Sequence, residues 1–225
     1  FGVKVKKDYV GIGIRKIREK TNPYLSSARR RRLQHSDFTI ISNNCWAGTV
    51  YRYYGLPYRS PTAGLYFFAA DYLKFVSDLR KYVNSRLCFI SASESRYADI
   101  LMQRGESSKV IAQLDDIEVV FLHYSTPEKA AEKWTRRCKR INWDNIFIKF
   151  SEMNECTYED LRIFDSLDFA NKICFTSHYS PEIKCSVEYP YMISSDNQLL
   201  VDTDRFQHGF SVTDWLNNRP LSYPF

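Results

Sequence analysis

The chain has 225 residues, 44% of them apolar and 26% charged, which is ordinary for a soluble globular protein and enough for one large domain or two small ones with a proper core. The net charge of +6 is uneven: residues 1–35 hold eleven Lys or Arg against Asp8 and Glu19, leaving the arm at +9 and everything after it at −3. No Gly-x-Gly-x-x-Gly, P-loop or zinc spacing occurs, so those cofactor and nucleotide classes lose their sequence support and no metal or cofactor is identified.

The arm, residues 1–35, contains Ile12, Ile14 and Ile17 in a short amphipathic segment interrupted by glycines, a break at Asn22-Pro23, and the run Arg29 to Arg32. Such an arm suits nucleic acid, an anionic membrane surface, or nothing but solvent.

From Phe38 onward, apolar runs of strand length alternate with segments of helical period. That alternation predicts a single α/β domain over 36–225, with a mostly parallel, Rossmann-like sheet flanked by helices. Strands are expected at 38–41, 87–90, 117–122, 145–150 and 172–176, with a further one at 188–193. Helices are expected at 46–54, stopped by Gly55-Leu-Pro57, and near 69–83. Another should start at Thr126-Pro127 and run to about Arg140. Thr157-Tyr-Glu-Asp160 resembles a capping box with Asp in place of the usual Glu, and a short helix is expected near 212–217.

Parallel strands would bring four polar loops to one sheet edge, where ligands of open α/β sheets bind. These loops carry Ser42, Asn43, Asn44 and Cys45; His123, Tyr124 and Ser125; Ser151 and Glu152; and Ser177, His178 and Tyr179. Cys45 would stand at a helix N-terminus, where the dipole favours a thiolate, so it is the candidate nucleophile. His123 or His178 is its candidate base, with Asn43, Asn44 and turn amides positioned for an oxyanion. The alternative is a small packing thiol with hydrogen-bonded histidines. Asp202 and Asp204 form an acid-x-acid turn of the kind that holds a divalent metal and a sugar nucleotide. Asp115-Asp116 precedes its strand and is expected in solvent. Six cysteines without a C-x-x-C pair, no membrane-spanning apolar run and no secretory signal point to reduced thiols in a cytoplasmic protein.

Phe38-Thr-Ile-Ile-Ser-Asn-Asn-Cys-Trp-Ala-Gly48, Gly55-Leu-Pro-Tyr58, Ser60-Pro-Thr62 and Gly64-Leu65 resemble the opening of the bacterial domain-of-unknown-function 1919 family. Phe121-Leu-His-Tyr124, the segment from Glu128 to Arg137 with Trp134, Arg140-Ile-Asn142 and Asn171-Lys-Ile-Cys-Phe-Thr-Ser177 continue the resemblance. Ala47 stands where that family usually has glycine. The family carries the label of exopolysaccharide biosynthesis. The resemblance therefore implies a transferase working on a polysaccharide precursor or an activated donor at the cytoplasmic face of the membrane, with the basic arm meeting anionic lipid and no nucleic acid partner expected. Acyl transfer through Cys45 with His123 or His178 is the first expectation, and Trp46, Ser177 and Arg137 join the loop residues as substrate contacts. A metal-dependent glycosyltransferase and a non-enzymatic, membrane-docked binding protein are the rivals.

Overall fold

The computed structural model describes residues 7–219. Its centre is a parallel sheet of four strands in the order β1-β5-β6-β7: β1 (Thr39–Ser42), β5 (Ile146–Ser151), β6 (Lys172–Thr176) and β7 (Ser186–Glu188). Ile40 is paired with Phe147, Lys149 with Ile173, and Phe175 with Val187. Alternate side chains enter opposite faces. Ile41, Ile148, Phe150 and Cys174 join one buried cluster, and Ile40, Phe147, Ile173 and Phe175 join another. The sheet is thus covered on both sides, which is why its strands read as unbroken apolar runs.

Against one face lie α3 (Ala69–Ser77), α6 (Pro127–Cys138) and α7 (Tyr158–Ser166), which supply Tyr72, Phe75, Trp134 and Phe164. Against the other lie α2 (Trp46–Tyr54) and α8 (Val212–Leu216), whose Trp46, Tyr51 and Trp215 make an aromatic cluster with Phe147 and Phe175. Local chemistry marks the helix ends as the sequence predicts. Gly55 adopts φ 62° after α2, Thr126 caps α6 ahead of Pro127, and Thr157 with Asp160 makes a complete capping box at α7. The helix expected near 69–83 is divided at Asp78 (φ −138°), whose side chain caps the separate α4 (Leu79–Asn84).

Two expected members of the parallel sheet belong elsewhere. Strands β2 (Leu87–Ile90), β3 (Val110–Leu114) and β4 (Ile117–Phe121) form an antiparallel meander with α5 (Ala98–Gln103) between β2 and β3. Its turn is Asp115-Asp116, with Asp115 at φ 55°, and Lys81 and Lys74 pair with these two acids at the surface. A hairpin turn of two residues reverses the chain and so makes β3 and β4 antiparallel neighbours. The strand expected at 188–193 is the shorter β7 plus an isolated bridge between Ile193 and Leu199.

The arm also departs from expectation. It forms one 22-residue helix, α1 (Tyr9–Arg30), that continues through Gly11, Gly13 and Pro23. Its charged side faces the body. Asp8 binds Arg205 at 2.6 Å, Arg15 binds Asp204 at 2.8 Å, and buried Arg18 donates to the carbonyls of Thr203 and Asp204 at 3.0 Å. These anchors, with Arg29 stacked 4.1 Å over Tyr53, hold the helix where propensity alone would break it. Val10, Ile14, Ile17 and Tyr24, spaced four, three and seven residues apart, are left exposed on another side.

Candidate functional site

The carboxyl end of β1 faces a cleft of two lobes. The larger encloses about 830 Å³ and the smaller about 500 Å³, and Cys45 and His123 line both. One splint, residues 60–66, brings these two side chains from distant parts of the chain to the same wall. Cys45 Sγ donates to Leu65 O at 3.8 Å, His123 N–H donates to Gly64 O at 3.2 Å, and Tyr66 bridges to Val120. Strand direction therefore does not explain the meeting, since β4 lies outside the parallel sheet. The splint does.

Cys45 occupies the N-cap of α2, yet the thiolate expected there is not favoured. The first amides of the helix are taken by other acceptors: Trp46 N–H by Asn44 Oδ1 at 3.1 Å and Ala47 N–H by Ser42 Oγ at 3.3 Å. Burial, reinforced by the nearby Asp202 carboxylate, pushes the thiol up to about 11. His123 shifts the other way. Partial burial and the neighbouring Arg52 and Lys109 lower its pKa from 6.5, so the ring is neutral near pH 7 and able to accept a proton.

Several predicted contacts are structural. Ser42 Oγ donates to Asn44 O at 2.7 Å. Asn43 exchanges two hydrogen bonds with the Ser151 backbone, 2.9 and 3.0 Å, and extends the β1–β5 pairing by one side-chain rung. Asn44 lines the larger lobe, but its amide is committed to Asp202 Oδ2 at 2.8 Å and to the helix cap. Asn43 lines neither lobe, and both asparagines are engaged in bonds within the fold. Trp46 is fully buried, with Nε1 donating to Phe206 O at 2.7 Å, and lines neither lobe. His178 is exposed and bonded through Nδ1 to Ser177 Oγ at 2.8 Å, while Ser177 N–H is held by Glu152 at 2.6 Å. Neither Ser177 nor His178 lines the cleft, so His123 alone of the two candidate bases does.

Tyr124, Ser125 and Arg137 do line the smaller lobe, beside Arg52, Lys129 and Lys133. Arg137 is 8% exposed, donates to Ala63 O and to the Tyr124 hydroxyl, and lies 4.8 Å over the Tyr58 ring. Under the larger lobe is a constellation that sequence reasoning missed. Lys149, 0% exposed, donates to Asp202 and to Ser151 Oγ, and Ser151 Oγ donates to Asp202 Oδ2 at 2.6 Å. Burial lowers the Lys149 pKa against the opposing pull of Asp202. The available signal was a lysine in the middle of Ile-Phe-Ile-Lys-Phe, since a buried strand cation requires a partner. Asp202 and Asp204 do not act as an open acid pair: Lys149 holds the first and Arg15 the second.

Residues 16–217 match the model of the family described as Domain of unknown function (DUF1919). The chain belongs to the DUF1919 family. The match reaches beyond the quoted motifs to include most of α1 and the C-terminal segment that delivers Asp202. A Haemophilus influenzae protein described as "Uncharacterized protein" is similar to this DUF1919 chain, 29% identical over 176 residues, covering 78% of this chain and 79% of the relative. Among the described residues no helix is long and apolar enough to cross a membrane.

Proposed function

We propose that this DUF1919 protein is a transferase of bacterial surface-polysaccharide assembly that moves an acyl group across the Cys45–His123 wall. The observation that carries the reading is the two-lobed cleft with one cysteine and one histidine common to both halves. A group-transfer enzyme needs room for donor and acceptor on either side of its reacting centre. Because the thiol is held protonated, its activation is concerted. His123 takes the proton as Sγ bonds to the acyl carbon, and the departing group leaves with that proton. The acceptor hydroxyl then gives its proton to His123 and its oxygen to the thioester, and the released sulfur takes the proton back.

The glycosyl-transfer alternative is less favoured, because a metal on Asp202 and Asp204 would have to displace Lys149 and Arg15. We further read the parallel sheet, with helices on both faces, as a Rossmann-like layer. A cytoplasmic, peripheral-membrane location belongs to the same proposal. What supports it is the outer side of α1, where Tyr9 is 75% exposed, Ile17 65% and Tyr24 83%, next to Lys16 and Lys20.

The deciding experiment restores the gene, in a strain that depends on it for polysaccharide, with His123→Gln or Cys45→Ser. We expect His123→Gln to cut polysaccharide synthesis by roughly 100-fold or more. Normal polysaccharide from both variants would remove the transfer mechanism. Thermal-shift screening with acyl-coenzyme A against nucleotide sugars plus manganese separates acyl from glycosyl transfer.

A further inference from the structure

We propose that the smaller lobe of the cleft is a binding site for a diphosphate group. As the place where a donor would be anchored, it rests on the transferase reading; as a binding site, it requires no turnover. Helix α6 carries Lys129, Lys133 and Arg137 at successive four-residue steps, so the three cations are stacked along one face of it. Like charges repel at that spacing, and Arg52 of α2 adds a fourth from another wall of the lobe. No carboxylate is among the lining residues. Glu132 comes within 3.7 Å of Lys133 but is itself largely exposed, and among the described residues Arg52, Lys129 and Arg137 have no carboxylate within 4.0 Å.

Arg137 makes the case sharper. Its guanidinium is buried, yet the acceptors holding it, Ala63 O and the Tyr124 hydroxyl, are neutral. A buried cation ordinarily has an anionic partner, and here the geometry is fixed while the counter-charge is missing. Stacking over Tyr58 aligns the fork without neutralising it.

The floor offers a second, separate observation. Gly48 lies in the first turn of α2 and lines the lobe. A Cβ built there would meet only Ala63 Cβ, at an ordinary 3.7 Å. Alanine would therefore fit and would favour the helix, so packing does not explain the glycine. Bare backbone at Gly48, in the same lining as the four cations, allows an anion to approach closely. Four cations exceed what one carboxylate needs and match a group of two or three negative charges. A space of about 500 Å³ accepts a diphosphate with part of the group it carries. A nucleoside diphosphate and a lipid diphosphate share that chemistry.

The test is calorimetric titration of the full chain with inorganic pyrophosphate, ADP and geranyl diphosphate, at low and at physiological salt. We expect saturable 1:1 binding that weakens with salt. Lys129→Gln and Lys133→Gln should each raise Kd about tenfold. Gly48→Ala should weaken binding while keeping or raising the melting temperature, and Lys16→Gln on α1 should change nothing. Tighter binding of ADP than of pyrophosphate assigns the anchor to a nucleotide donor, and tighter binding of geranyl diphosphate assigns it to a lipid. Absence of saturable binding by all three at millimolar concentration overturns the proposal. So does binding that the Lys129→Gln/Lys133→Gln double variant leaves intact. The transfer reading fails separately: pyrophosphate binding with normal polaccharide synthesis in His123→Gln and Cys45→Ser keeps this site and removes that mechanism.

Discussion

Beneath the larger lobe, Lys149 and Asp202 are both withdrawn from solvent and bonded to each other, with Ser151 and Asn44 also donating to Asp202 Oδ2. The smaller lobe keeps Arg52, Lys129, Lys133 and Arg137 with no acid in its lining. The first arrangement answers its own charges and so explains how the C-terminal segment is fastened to the sheet. The second leaves them without an acid from the lobe's own lining, which is what the proposed diphosphate site requires. Buried charge by itself does not mark function; what matters is whether the protein supplies the counter-charge.

Removing one member of the closed pair should produce the largest effect. Lys149→Met leaves Asp202 buried without its counter-charge, and we expect a loss of about 3–5 kcal/mol in urea unfolding. Adding Asp202→Leu should recover most of that loss, because an apolar pair needs no counter-charge. If the single and double variants are equally unstable, the pair is not the unit described here. On the other side of the comparison, Lys133→Gln should move the melting temperature by no more than roughly 2 °C, since it breaks no closed network. A large loss there would mean that the basic lobe is structural after all.

His123 provides an intermediate test, because it lines both lobes. Its folded-state pKa is lowered below 6.5 by burial and by Arg52 and Lys109. On the proposed mechanism the neutral ring is the base, so transfer activity should be constant near pH 7 and fall only as the pH drops through that lowered value. Stability follows the same sign. Below pH 6.5 the unfolded chain takes up the proton more readily, and the His123 contribution is lost as the pH falls. An NMR titration placing His123 above 6.5 would contradict both statements. Arg52→Gln should raise the value, because it removes one of the cations that disfavour the imidazolium.

How far the sequence could anticipate this site depends on the range over which each feature is encoded. Helix α2, strand β6 and the caps at Thr126 and Thr157 were legible because each is written in a few adjacent residues. The four-residue spacing of Lys129, Lys133 and Arg137 was equally visible, but nothing local showed that this face would border a cleft. The strand direction of β4 was not legible as it was read, since an apolar run does not say which neighbour it joins; the short Asp115-Asp116 connection was the missed clue. The fates of Asn43 and Asn44 depend on Ser151 and Asp202, more than one hundred residues away, so their free amides could not be excluded in advance. Helix α1 is the clearest case. Its glycines and Pro23 argue against a continuous helix, and distant Asp204, Arg205 and Tyr53 outweigh them.

The smallest effect should come from Cys45, and it asks which lobe's field reaches the shared wall. Burial raises the thiol pKa, Asp202 adds to the rise and Arg52 opposes it, and the net result is about 11. At pH 7 the thiolate is then roughly one part in ten thousand. Iodoacetamide labelling followed by peptide mass mapping should find exposed Cys88 modified first and Cys45 nearly untouched at pH 7. The Cys45 rate should climb about tenfold per pH unit until the thiol's own pKa is approached. Arg52→Gln should slow the labelling slightly further, because the remaining influence of Asp202 is then less opposed. Labelling of Cys45 at pH 7 as fast as that of Cys88 would mean that a His123 imidazolium holds a thiolate beside it. The basic lobe, and not Asp202, would then set the chemistry of the wall, and attack through a preformed ion pair would replace the concerted step.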